Sequence, residues 1–423
     1  MNDDGAAAGR PVALAWAAWL LSSLFFFYAL VWRVAPSVMV DALMRDFAVG
    51  GAILGNLSAF YFYAYAGLQI PIGVMLDRLG PRRLMSGGAA LAGLGGILFA
   101  LADSLTLAYL GRLLIGAGAA SSWVGALTVI VQWFPARRFA ALAGGTQAFG
   151  MMGAIAGQAP VGFAVAAWGW RPGMLWIGVA GLALALMLFL SIRDRPAAHH
   201  GTAGVLAALR IAVAQRQVWL SGAFGMAMVT PTAAFGGLWA VPYLMQVHGL
   251  GRAEAAGLTS LIFVSWALGA PLVGGLSDRL GTRRKLMVTG ALVSALCVGA
   301  LPFAGAWPAW TLGALMAAQG VAASSMVVGV ALAREHAPAQ VSSTALGLVN
   351  TFVIGSGAIF QPLIGFVLDL SWDGRMAEGA RVYSPSAYAW ALSVLPLACL
   401  AGLVAALLSR EARPGDQAVG QRR

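Results

Sequence analysis

Charge is scarce in this chain: only 10% of its 423 residues are Asp, Glu, Lys or Arg, against roughly 25% in a soluble domain. A water-soluble fold with 60% hydrophobic residues could not cover its own surface. Cysteine is nearly missing. Cys297 and Cys399 both lie in apolar runs, which excludes a disulfide framework and a thiolate metal site. The histidines, His199, His200, His248 and His336, fall outside those runs without ligand spacing, so no metal and no cofactor are expected. There is no phosphate-cradling glycine loop and no Ser-His-Asp or Cys-His set, which argues against an ATP-driven pump and against an enzyme. What is abundant is apolar: mean hydropathy is +0.82 with 55 glycines, and glycine is commoner in membrane helices than in soluble ones. The chain reads as an integral membrane protein.

A spanning helix needs about 20 mostly apolar residues. Cutting at charge clusters gives twelve such stretches, numbered here as spans one to twelve: 13–41, 52–76, 84–102, 105–131, 140–163, 172–192, 218–247, 256–276, 286–303, 308–332, 344–369 and 387–408. The first is too long for a signal-peptide core and is expected to stay in the mature protein. One long polar insert, 193–217, separates six spans from six, which predicts an N-terminal bundle (1–192), a cytoplasmic linker (193–217) and a C-terminal bundle (218–423). With the N-terminus inside, 19 basic residues fall on the cytoplasmic side and 5 on the other, a strong positive-inside bias. The formal net charge of +11 is thus a matter of topology, and no nucleic-acid partner is implied.

The halves repeat each other. Gly73-Val-Met-Leu-Asp77-Arg78-Leu-Gly80-Pro-Arg82-Arg83 follows span two, and Gly274-Gly-Leu-Ser-Asp278-Arg279-Leu-Gly281-Thr-Arg283-Arg284 follows span eight. Ala119-Ala120-Ser121-Ser122 in span four returns as Ala322-Ala323-Ser324-Ser325 in span ten. Gln147 and Gln158 of span five match Asn350 and Gln361 of span eleven. Six spans per half make this a parallel repeat, with a site near the midplane between the halves.

The paired G-x-x-x-D-R-x-G-x-R-R loops resemble the signature of the major facilitator superfamily, and Arg112-Leu-Leu-Ile-Gly116-Ala-Gly118 resembles its span-four motif. Its antiporter motif in span five is matched only in part: Gly144, Gly153, Gly157 and Gly162 are kept, but Gln158 stands where a proline belongs. The resemblance implies an all-α membrane fold of two six-helix bundles related by a pseudo-twofold axis along the membrane normal. It implies a secondary active transporter working by alternating access, with spans 1, 2, 4, 5, 7, 8, 10 and 11 lining the path. It also implies that Asp77 and Asp278 form a cytoplasmic latch, closed when the transporter opens outward, with Asp77 facing the start of span eleven and Asp278 the start of span five. The bland alternative is that the loop arginines only enforce topology.

Intramembrane amides fall in spans two (Gln69), five (Gln147, Gln158), ten (Gln319) and eleven (Asn350, Gln361), while spans three, six, nine and twelve carry none. Such groups are costly in lipid unless they face a partner or a wet cavity. Tyr61, Tyr65, Gln69, Gly73 and Asp77 recur every four residues and share one helix face. Trp123, Trp239, Tyr243 and Trp266 add aromatics to the expected cavity. Arg33 and Arg112 lie inside spans one and four with no mid-span carboxylate to match them. Guanidinium suits bidentate capture of carboxylate or phosphate, so the predicted substrate is a small organic anion anchored by Arg33. Snorkelling of Arg33 and a carbonyl-bonded, structural Arg112 are the alternatives. A drug-efflux antiporter is the competing function, although a cationic drug would want a buried acid. Proton coupling is expected from the resemblance, with exchange of one anion for another needing no acid. The expected setting is the cell (inner) membrane with both termini cytoplasmic, the partners lipid and a small-molecule substrate, and the working unit a monomer.

Overall fold

A computed structural model describes residues 12–135, 138–193, 205–303, 307–337 and 341–411. These residues are almost entirely helical. Ten helices among them are long and apolar enough to cross a membrane. The expected span two runs as Gly51–Gly67 and, after Leu68, on through the first part of Gln69–Leu101 to the Gly80 corner, and span nine is the 17-residue helix Arg284–Ala300. Both halves take the same course, so the chain folds as two six-helix bundles. The polar insert is only partly a loop: its Ala-rich end forms a further helix, Val205–Ala214, and span seven then starts at Arg216.

The sequence explains where the helices bend. Pro36 turns the end of span one, Val12–Val34, into a tighter stretch at Ala35–Met39, since proline donates no N–H and crowds the preceding turn. The repeated Ala-Ala-Ser-Ser marks a matching break in spans four and ten, between Leu105–Ala119 and Ser122–Trp133 and between Ala309–Ala323 and Met326–His336. Its serines bond back to carbonyls three residues earlier, Ser122 to Ala119 O and Ser324 to Val321 O at 2.6 Å each, and such back-bonding bends helices. In span seven Pro231 opens a run of wide π turns, Pro231–Trp239, between Arg216–Thr230 and Ala240–His248. The two signature loops are sharp corners: Gly80 has φ +76° and Gly281 φ +60°, a left-handed backbone that glycine adopts without penalty. That accounts for the glycine at the same place in both motifs.

Spans six, nine and twelve present large apolar side chains outward, among them Leu190, Leu296 and Leu397, as suits helices against acyl chains. The inner helices bring the halves together unevenly. At the end of the molecule opposite the signature corners, called here the far face, span two packs directly on span eleven, Ser342–Leu370. A Cβ on Gly55 would stand 2.5 Å from the Gln361 carbonyl, and one on Gly365 would overlap the backbone of Gly51. At the signature face, Gly73, Gly144, Gly275 and Gly347 have open space where a Cβ would be.

Candidate functional site

Between the halves lies a cavity of about 130 Å³. Span one supplies Phe26, Leu30, Arg33 and Val34; span two Tyr65; span four Trp123; span five Gln147 and Met151. Across it stand Thr232 and Gly237 of span seven, Phe263 and Trp266 of span eight, Met326 of span ten, and Asn350, Val353 and Ile354 of span eleven. All eight spans expected around the path contribute.

Arg33 is held at the last turn of its helix, just before the Pro36 bend. Its guanidinium carbon lies 5.7 Å from the ring centres of Tyr61 and Phe62 and 5.3 Å from that of Tyr65, so ring faces cradle the cation. Among the described residues no carboxylate comes within salt-bridge distance of it, and its Nε is buried without a hydrogen-bond partner. On the opposite wall the Thr232 hydroxyl is also buried and unpartnered. Arg33 and Thr232 line the cavity from opposite halves, so the guanidinium and the threonine side chain bracket the place where a ligand would sit. No lining residue is acidic.

Five of the twelve proposed site residues therefore meet at the cavity: Arg33, Tyr65, Trp123, Gln147 and Asn350. The others do not line it, and most of their polar atoms are engaged elsewhere. Arg112 is fully buried and donates to Trp32 O at 2.9 Å and Ser58 O at 3.0 Å, which is the carbonyl-bonded arrangement. Gln69 donates to Tyr65 O and Ala120 O at 3.4 Å and accepts from Asn350 Nδ2 at 3.5 Å, beside the cavity and across the halves. Gln158 accepts from Ser37 and donates to Gly236 O at 2.8 Å, while Gln361 donates to Ala233 O at 2.9 Å. Both glutamines thus serve carbonyls of the wide turns in span seven. Trp239 donates to Gln361 O, Tyr243 to Leu301 O, and Gln319 pairs with Ser294. Thr232, Phe26, Met151 and Phe263 were not singled out in the sequence. The Pro231-Thr232 step inside an apolar span was the available hint for Thr232, since a proline there frees neighbouring backbone.

The far face is closed by charge as well as by packing. Asp369, at the end of span eleven, accepts from the N–H groups of Gly51 and Ala52 at 2.8 and 2.9 Å, the start of span two. Arg381 and the Tyr383 hydroxyl reach the same carboxylate at 3.1 and 2.6 Å. Burial, and then the adjacent carboxylate, push the Tyr383 hydroxyl well above its ordinary range, so it stays a donor. Asp41 of span one pairs with Arg252 at the start of span eight, 2.6 Å apart.

At the signature face the ion pairs and side-chain bonds described stay within one half. Asp278 is exposed and pairs with Arg283 at 2.6 Å, and Arg283 also holds Glu335 at 2.8 Å. Arg82 donates to Phe189 O and Arg284 to Leu407 O, each the last span of its bundle. Arg78, Arg83 and Arg279 are exposed. Asp278 is thus paired within its own corner in this arrangement. The side chains of Asp77, Ser342 and Ser343 lie outside the described set.

The chain belongs to the Major Facilitator Superfamily, whose family model matches residues 21–238 and 231–423. It is similar, at 24% identity over 302 residues, to a Cupriavidus necator protein described as "Probable sulfoacetate transporter SauU", covering 66% of this chain and 69% of that one. It is 24% identical over 386 residues to an Escherichia coli "Probable L-galactonate transporter", 84% of each chain. Among solved structures it superposes, with a TM-score of 0.76 at 20% identity and over 97% of this chain and 99% of that one, on a bacterial homolog of the human lysosomal transporter Spinster in an inward-facing, occupied conformation. It is thus a multi-pass membrane transporter and not an enzyme.

Proposed function

We propose that this protein carries a small organic anion across the cytoplasmic membrane by alternating access, with Arg33 as the anchor for the negative group. The observation that carries the reading is the Arg33 guanidinium: fixed in the cavity wall, partly unpartnered and facing no acid. An anion would complete its hydrogen bonding and neutralise its charge, whereas a lipophilic cation would meet repulsion and find no carboxylate. The relatives' printed substrates, sulfoacetate and L-galactonate, are both organic anions. The basic signature face belongs in the cytoplasm by the positive-inside rule, so this conformation is open inward and sealed outward. The carboxylates available to a coupled proton are those of the seal, Asp41 and Asp369, since the cavity offers none; an exchange of anions would need neither. A monomer without cofactor suffices for this mechanism.

The test is uptake of labelled organic anions into proteoliposomes. Arg33→Gln should lower anion uptake at least tenfold while the protein still inserts. Equal uptake by wild type and variant, or transport of lipophilic cations only, would overturn the assignment.

A further inference from the structure

Resting on the anion reading above, we infer that the substrate is a monoanion with a small apolar body, of the size and kind of an aryl or short-chain monocarboxylate, and not a dianion or a polyhydroxy acid. Three features of the cavity carry this.

The first is charge. Arg33 is the one cationic residue in the described lining. Arg112, the other intramembrane cation, is spent on two backbone carbonyls and fully buried outside the cavity. A second negative charge would enter a low-dielectric site with no partner, a large cost unless neutralised.

The second is the wall. Beyond Arg33 the lining side chains with polar atoms are Tyr65, Gln147, Thr232, Asn350 and the two indoles of Trp123 and Trp266, and Asn350 is already turned toward Gln69. The remainder is apolar, chiefly Phe26, Leu30, Val34, Met151, Phe263 and Ile354. A sugar acid brings more hydroxyls than this wall has partners for, and unmade hydrogen bonds discriminate strongly. An apolar body loses nothing there and gains contact.

The third is volume. The free space beside Arg33 is about 130 Å³ and open on one side, close in size to the roughly 150 Å³ that takes up benzene. One ring or a short chain fits there with its carboxylate at Arg33.

The test is calorimetric titration of the purified full-length protein in detergent with benzoate, L-galactonate, galactarate and tetraphenylphosphonium. Benzoate should bind at least tenfold tighter than L-galactonate, and the dianion galactarate should give no heat of binding. Arg33→Gln should weaken benzoate at least tenfold and Arg33→Lys less, with melting temperatures within a few degrees of wild type to show that both fold. Equal or tighter binding of L-galactonate or galactarate would overturn this inference while leaving the organic-anion reading intact. Binding of tetraphenylphosphonium alone, or of no probe by a protein with an intact melting transition, would overturn both.

Discussion

At the far face the two bundles meet backbone to backbone, with Asp369 capping span two and Asp41 paired to Arg252. At the signature face Gly73, Gly144, Gly275 and Gly347 stand clear of neighbours, and the bonds of Asp278, Arg82 and Arg284 stay inside their own halves. The same pair of spans, two and eleven, runs through both regions. The difference lies in what is offered at each end: glycine and a helix N-terminus at one, exposed arginine-rich corners at the other. Closure of the far face therefore rests on a few small residues and two carboxylates, and each can be removed singly.

The largest effect should come from Gly365→Val, since a side chain there overlaps the Gly51 backbone, which cannot move aside as a flexible side chain would. Transport should fall by more than tenfold. A cysteine placed at Val49 should become reactive to a membrane-impermeant maleimide, against a low background because Cys297 and Cys399 are both buried. Unchanged labelling would mean that the seal does not depend on this contact. Asp369→Asn comes next. A carboxylate capping a helix N-terminus is worth about 1 kcal/mol, more when partly buried, so the outward-open population should rise several-fold in the same labelling assay. Asp77→Asn should move the balance the other way, if the corner at Gly80 closes on span eleven when the far face opens, and should slow transport without loss of insertion; an unaltered initial rate would count against that latch.

The smallest effect concerns Glu411, beside the start of span nine. Burial alone would raise its carboxyl, but N–H groups of Arg283 and Arg284 and the Thr282 hydroxyl, at 3.0, 2.9 and 2.8 Å, hold it below the ordinary range. A depressed folded-state value stabilises above the unfolded one, near 4.3, and the gain is lost as pH falls through the folded value. Glu411→Gln should lower the melting temperature by about 1 °C at pH 7, and the gap should close in acid.

Much of this arrangement is legible in the residue string, for physical reasons. Apolar run length and the arginine bias depend only on the membrane, so the spans could be placed from composition. The duplicated corners keep glycine where a left-handed turn is required, which made the repeat visible. Arg33, Tyr65, Gln147 and Asn350 were found because polarity inside a span is costly and must face something. What that something is could not be read. Gln158, Gln361 and Arg112 are as polar as the cavity residues, yet their partners are carbonyls freed by helix distortions at Pro231 or presented by neighbouring spans, which exist only once the helices pack. Thr232 was missed for the converse reason: a lone threonine in an apolar span ordinarily bonds its own backbone, and here its hydroxyl is left over. The ten-residue helix Val205–Ala214 within the polar insert escaped notice because it is too short for a membrane crossing.

The lone guanidinium in the cavity wall has an electrical consequence. On the anion reading, the Arg33 charge would shift through part of the transmembrane field when the carrier is empty and would be offset when a monoanion is bound. One full charge is worth about 2.3 kcal/mol per 100 mV. Voltage would then act on the unloaded return stroke and leave the loaded passage largely untouched, making turnover dependent on membrane potential even where the substrate gradient is fixed.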